Sequence, residues 1–158
     1  MSDFRLREAV PGDARGYIRL MKAILRENPP VDTPYAADEF DPETGAMAER
    51  IADYPLTGNS LFLVALAGEH GEQVIGSLTC RGGTLRSDRH VADLGVYVAR
   101  DWRGRGVGAA LLFGQIALQY RGRVDQQDRR VAQLCRSSRV APDQIAITSQ
   151  HAGVAARS

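Results

Sequence analysis

Phe4, Leu6 and Ala9 alternate with polar residues in FRLREA, which predicts a strand ending at the Pro11-Gly12 turn. The apolar spacing then becomes helical. Tyr17, Ile18, Leu20, Met21, Ile24 and Leu25 mark a helix from Ala14 to about Arg26, with Asp13 placed to cap it. Residues 28–41 hold three prolines and an acidic group (Asp38, Glu39, Asp41) and read as a loop, and 43–53 fits a second helix with Ala46, Met47, Arg50 and Ile51 along it. The run SLFLVALA at 60–67 is apolar without a break, as in a strand buried on both faces. Residues 73–81 form its hairpin partner after the turn at 68–71, 82–89 is a polar turn, and 90–98 is a further strand. A third helix runs from Gly106 to about Tyr120, with Gly114 as a weak point. Antiparallel hairpins with helices on both sides make an α+β fold (a mixed α/β arrangement) around a mostly antiparallel central sheet.

The densest chemistry lies at ADLGVYVARDWRGRGVGAALL, residues 92–112. Leu94, Val96 and Val98 alternate as a strand, and Arg103-Gly104-Arg105-Gly106-Val107-Gly108 leads into Ala109 and a helix. A strand, a glycine turn and a helix N-terminus in that order suit an anion. The first helical N–H groups lack internal partners, the peptide dipoles place partial positive charge there, and glycine admits a phosphate close to the backbone. A Walker loop is excluded, because it needs Gly-Lys-Ser/Thr and Lys22 is the only lysine. Gly104, Gly106 and Ala109 satisfy the dinucleotide fingerprint, with Asp125 about 20 residues on. However, LQYRGRV is a poor strand, and roughly 50 residues after Gly108 are too few for a doubly wound sheet. A plain strand-to-helix turn stays open as the bland alternative.

Composition narrows the partners. The 158 residues suit one domain, 1–158, and 44% hydrophobic with 25% charged residues is ordinary for a globular chain. A net charge of +1 gives no global field toward nucleic acid or membrane. Cys80 and Cys135 are too few for a disulfide scaffold, and His70, His90 and His151 have no metal-ligand spacing, so no metal is expected. No apolar leader or membrane span is evident, which makes the cytoplasm the expected location.

The turn Arg103–Gly108, with Val-x-Val before it and Ala-Ala-Leu-Leu after it, resembles the R/Q-x-x-G-x-G/A signature of the GNAT N-acetyltransferase superfamily. The resemblance covers about residues 3–120. It implies a GNAT-like sheet and acetyl-CoA as co-substrate, with the pyrophosphate on the backbone of Gly104, Arg105, Gly106, Val107, Gly108 and Ala109. Arg103 and Arg105 would add charge, and Val96, Tyr97 and Val98 would offer backbone groups to the pantetheine arm. It further implies direct attack of a primary amine, from a small molecule or a peptide, on the acetyl group. Asp93, where the family often places an acid, is the candidate general base, with a plain strand-edge carboxylate as the alternative. His90 reads as a loop histidine. Tyr35, Asp38, Glu39 and Asp41 either favour a cationic amine or form a solvated loop.

Beyond Tyr120 the likeness stops. Residues 121–158 carry seven arginines against three aspartates, no Asn, Phe or Tyr, and signals only for a helix at 128–136 and a strand at 144–149. The tyrosine that protonates the departing thiolate in the family has no counterpart there, and Cys135 reads as a buried hydrophobe. The end is therefore a divergent one, a frameshifted one or a basic arm. A degenerate domain that binds CoA or a protein partner is the alternative to an enzyme, and an exposed sheet edge would favour a homodimer.

Overall fold

The computed structural model describes residues 4–56, 60–70, 73–82 and 92–119. In chain order these form β1 (Phe4–Glu8), α1 (Ala14–Leu25), α2 (Thr44–Asp53), β2 (Leu61–Ala67), β3 (Gln73–Gly82), β4 (Ala92–Val98) and α3 (Val107–Gln119), with short 3-10 turns at Pro11–Asp13, Tyr54–Leu56 and Arg100–Trp102. The expectations for His90, Tyr120, Cys135 and residues 121–158 lie outside the described residues.

The four strands form one antiparallel meander in the order β1-β2-β3-β4. The unbroken apolar run explains β2. Phe62, Val64 and Leu66 face a core shared with α1 and α2, while Leu63, Ala65 and Ala67 face a second core beneath α3. Strand alternation thus divides one apolar segment between two layers. The helical spacing in α1 delivers Tyr17, Leu20, Met21 and Ile24 to the first core.

Between β2 and β3 the register jumps from Ala65↔Gly76 to Leu66↔Val74, leaving Ile75 as the extra residue of a bulge. Val74 therefore packs toward α1 and α2, whereas Ile75, Leu78 and Cys80 pack under α3. Next to the bulge, α3 packs close. A Cβ at Gly76 would lie 3.1 Å from Val107 Cγ1, 3.2 Å from Leu111 Cδ1 and 3.2 Å from the Tyr97 carbonyl oxygen. Only glycine lets the first turns of α3 settle this deeply against β3 and β4.

Asp13 departs from the capping role its position predicts. It already has near-helical backbone angles (φ −81°, ψ −8°) as the last residue of the 3-10 turn, and it makes no side-chain cap to α1. Its Oδ2 instead accepts the Val10 N–H at 2.8 Å, and its two oxygens take both Arg7 Nη atoms at 2.6 and 2.8 Å. This fork ties β1 to the entry of α1. Asp13→Ala should destabilise the fold by about 2 kcal/mol, because it removes a charge-assisted bidentate pair and leaves a donor short of its acceptor. Urea unfolding measures this, and a loss below about 0.5 kcal/mol would remove the pair from the fold's supports.

Candidate functional site

The β4 strand is one edge of the sheet among the described residues. Its alternation gives its two faces different work. Val96 and Val98 pack toward α3, while Asp93, Gly95 and Tyr97 line a cavity on the α1/α2 face. The chain leaves β4 through the 3-10 turn and enters α3 across Gly104 and Gly106, at φ +71° and +86°. Residues with a Cβ are strained at such angles. The first bond of the helix runs from the Ala110 N–H to the Gly106 carbonyl at 2.9 Å. The N–H groups of Val107, Gly108 and Ala109 thus lie ahead of the intrahelical ladder, at the positive end of the helix dipole. The Val107 side chain is core, so only its backbone is available to a ligand.

The two arginines of the turn differ. Arg105 lies over the Trp102 ring, 4.9 Å from its centroid, with its charge uncommitted to a carboxylate among the described residues. Arg103 forms a fork with Glu27 (2.7 and 2.8 Å) and donates from Nε to the Val98 carbonyl at 3.0 Å. Its charge is therefore balanced within the protein. It braces the turn, and the free charge the sequence places there comes from Arg105.

The cavity, of about 430 Å³, lies between α1, α2, β3, β4 and the 28–41 loop. Aromatic rings wall it. Tyr17 meets Phe62 edge-on at 5.0 Å, Tyr54 meets Phe62 at 5.1 Å, and Tyr35 from the loop packs on Phe40 at 5.5 Å. Burial, reinforced by the neighbouring phenols of Tyr35, Tyr54 and Tyr97, pushes the Tyr17 hydroxyl well above its ordinary range. Burial, with Tyr35 and Asp32 nearby, also raises Tyr97. Both phenols therefore stay protonated at neutral pH.

The charged lining differs from the acidic loop that the sequence offers. Asp41 pairs with Lys22, Glu39 accepts the Ala36 N–H at 3.3 Å, and neither they nor Asp38 line the cavity. Of the expected set only Tyr35 reaches inward. The charged groups on the cavity are Arg50, Arg81 and Asp93. Sequence reasoning missed both arginines as site residues. The available signal was their position, beside the apolar positions Met47 and Ile51 of α2 and at the end of an apolar strand. Among the described residues no group of three or more His, Cys, Asp or Glu could hold a metal ion, and no helix is long and apolar enough to cross a membrane.

The sequence profile of the acetyltransferase (GNAT) family matches residues 19–114, from within α1 to within α3. No curated protein matches the chain by sequence. Solved structures share the fold. An acetyltransferase of the GNAT family from Streptococcus pneumoniae is similar at TM-score 0.67 and 18% identity, over 85% of this chain and 82% of that one. A GNAT superfamily phosphinothricin acetyltransferase from Sinorhizobium meliloti, in complex with acetyl-CoA, is similar at TM-score 0.60 and 28% identity, over 75% of this chain and 60% of that one. The PaiA N-acetyltransferase from Thermoplasma acidophilum, in complex with coenzyme A, is similar at TM-score 0.55 and 15% identity, over 75% and 72%. With the family profile spanning more than half of the chain, and with the glycine turn and the edge strand both inside it, this protein belongs to the GNAT family of acetyltransferases.

Proposed function

We propose that the protein is an acetyl-CoA-dependent N-acetyltransferase that moves an acetyl group directly to a primary amine held in the cavity beside β4. One observation carries this reading. The helix N-terminus with its positive-φ glycines stands at one end of β4, and the residues of that same strand line the cavity. A ligand anchored at the turn and lying along the strand edge would present its far end to whatever the cavity holds. Acetyl-CoA supplies the acetyl thioester. The backbone of Gly104–Ala109 would hold its pyrophosphate, with charge from Arg105, and the Val96–Val98 edge would orient the arm. The Sinorhizobium meliloti structure, which holds acetyl-CoA, supports this choice of donor.

In the transfer, the amine nitrogen bonds to the acetyl carbon, the carbon–sulfur bond breaks, and the electron pair leaves with the thiolate. A free alkyl amine is mostly protonated at neutral pH, so a proton must leave before attack. Asp93, at the cavity and exposed to water, is suited to accept that proton and pass it to solvent. Among the described residues none is assigned to protonate the thiolate. The chain would work as a single soluble domain on a small-molecule or peptide amine, without nucleic acid, membrane or metal, in the cytoplasm, and the β1 edge, unpaired among the described residues, leaves room for pairing in a homodimer.

Isothermal titration of acetyl-CoA into the full chain, followed by thiol release with a panel of primary amines, tests the reading. Saturable one-site binding and amine-dependent release of CoA are the expected results. Binding without release for every amine would favour a degenerate CoA-binding domain. Absence of binding by the folded chain would overturn the reading altogether.

A further inference from the structure

We infer that the acceptor is a small zwitterionic amine, an amino acid with a free carboxylate, which the cavity recognises by pairing Arg81 with the carboxylate and Asp93 with the ammonium. The inference rests on the proposed acetyl transfer and names the substrate class of that site. Arg81 and Asp93 are register partners across β3 and β4 and both line the cavity. Directly opposed residues on one sheet face have their Cβ atoms about 5 Å apart. Such a pair ordinarily closes on itself. Here neither has an ion-pair partner among the described residues. The Arg81 guanidinium instead lies 5.3 Å from the centre of the Tyr54 ring.

A guanidinium that rests on a ring by its face keeps its N–H edge for a carboxylate, which it binds through two parallel hydrogen bonds. A cation and an anion fixed side by side are the complement of an α-amino acid, whose own ammonium and carboxylate are separated by one carbon. Arg50, on α2 at the same cavity and likewise without a carboxylate partner among the described residues, adds positive charge for a second oxyanion on the side chain. The aromatic rings leave the side chain a largely apolar compartment, and about 430 Å³ suits a ligand of amino-acid size. The same lining argues against polyamines, since two arginines outweigh one aspartate.

The test is binding, so that it reads out whether or not a given amine is turned over. The full chain, saturated with CoA, is titrated calorimetrically with each of the twenty common L-amino acids, with the amide of each that binds, and with putrescine as a dication. Arg81→Met and Arg81→Lys are titrated in parallel. We expect at least one amino acid to bind saturably, its amide to bind at least tenfold more weakly, and putrescine not to bind. Arg81→Met should remove the preference for carboxylate over amide while keeping acetyl-CoA affinity within twofold, and Arg81→Lys should restore part of it. Binding of putrescine or amides in preference to amino acids would overturn the inference, as would failure of every amino acid to bind or an undiminished preference in Arg81→Met. Acetyl-CoA binding measured on the same samples keeps these outcomes apart from failure of the acetyltransferase reading itself.

Discussion

Gly106→Trp should abolish measurable acetyl-CoA binding, a loss of at least 100-fold, while the protein still unfolds cooperatively. Two effects combine at this position. At φ +86° any residue with a Cβ is strained, by about 1–2 kcal/mol, so the turn must shift. The indole would also occupy the space directly ahead of the α3 N–H groups, where a phosphate has to approach. Gly108 is the control that carries neither effect. A Cβ built there meets only Val98 Cγ2, at an ordinary 3.7 Å. Gly108→Ala should therefore leave stability within about 0.5 kcal/mol of wild type, as expected of a substitution that meets no strain or clash. Titration calorimetry with thermal unfolding of both variants checks this. Full affinity in a folded Gly106→Trp protein would exclude the turn as the pyrophosphate site.

Gly76→Val should be the most damaging change outside the turn. Three atoms already lie 3.1–3.2 Å from the position of its Cβ, and one of them is backbone. Overpacking of this kind costs about 1–3 kcal/mol, with the upper end expected where a carbonyl oxygen has to move. For a domain of this size, about 3 kcal/mol corresponds to a fall of roughly 10 °C in melting temperature. Because the clash lies between β3 and the first turns of α3, the helix N-terminus moves with it. Acetyl-CoA affinity should fall at least tenfold although residue 76 touches no ligand. A destabilised variant with unchanged affinity would show that the turn is held by β4 and Arg103 alone.

Much of the architecture was legible because burial follows period. The unbroken β2 run and the helical spacing of α1 each report a buried surface directly, and the glycine turn announces itself by residues that tolerate positive φ. Three features were not legible, each for a physical reason. The bulge at Ile75 reverses the faces of Val74 and Ile75, and strict alternation has no means of placing an extra residue. Asp13 satisfies every local criterion for a helix cap, yet a long-range fork to Arg7 claims its carboxylate. The acidic loop residues and the cavity arginines exchange their expected importance. Asp41 and Glu39 bond to Lys22 and to the loop backbone, whereas the long arginine side chains on α2 and β3 reach a cavity that exists only once segments distant in the chain pack together. The candidate site on β4 and the turn therefore lies in one contiguous segment of sequence, whereas the cavity is assembled from distant ones.

The Arg103–Glu27 fork has a thermodynamic corollary. Glu27 precedes the loop that lines one side of the cavity, and Arg103 opens the glycine turn proposed to cradle an anion. The two binding regions thus hang from one shared post, with no intervening side chain. Should both regions bind as proposed, a ligand that tightens the post from either side would stiffen the other region as well, and linkage requires the enhancement to be equal in both directions. Synergy between the two substrates would then be a property of this fold's wiring, present even in a domain that never changes shape.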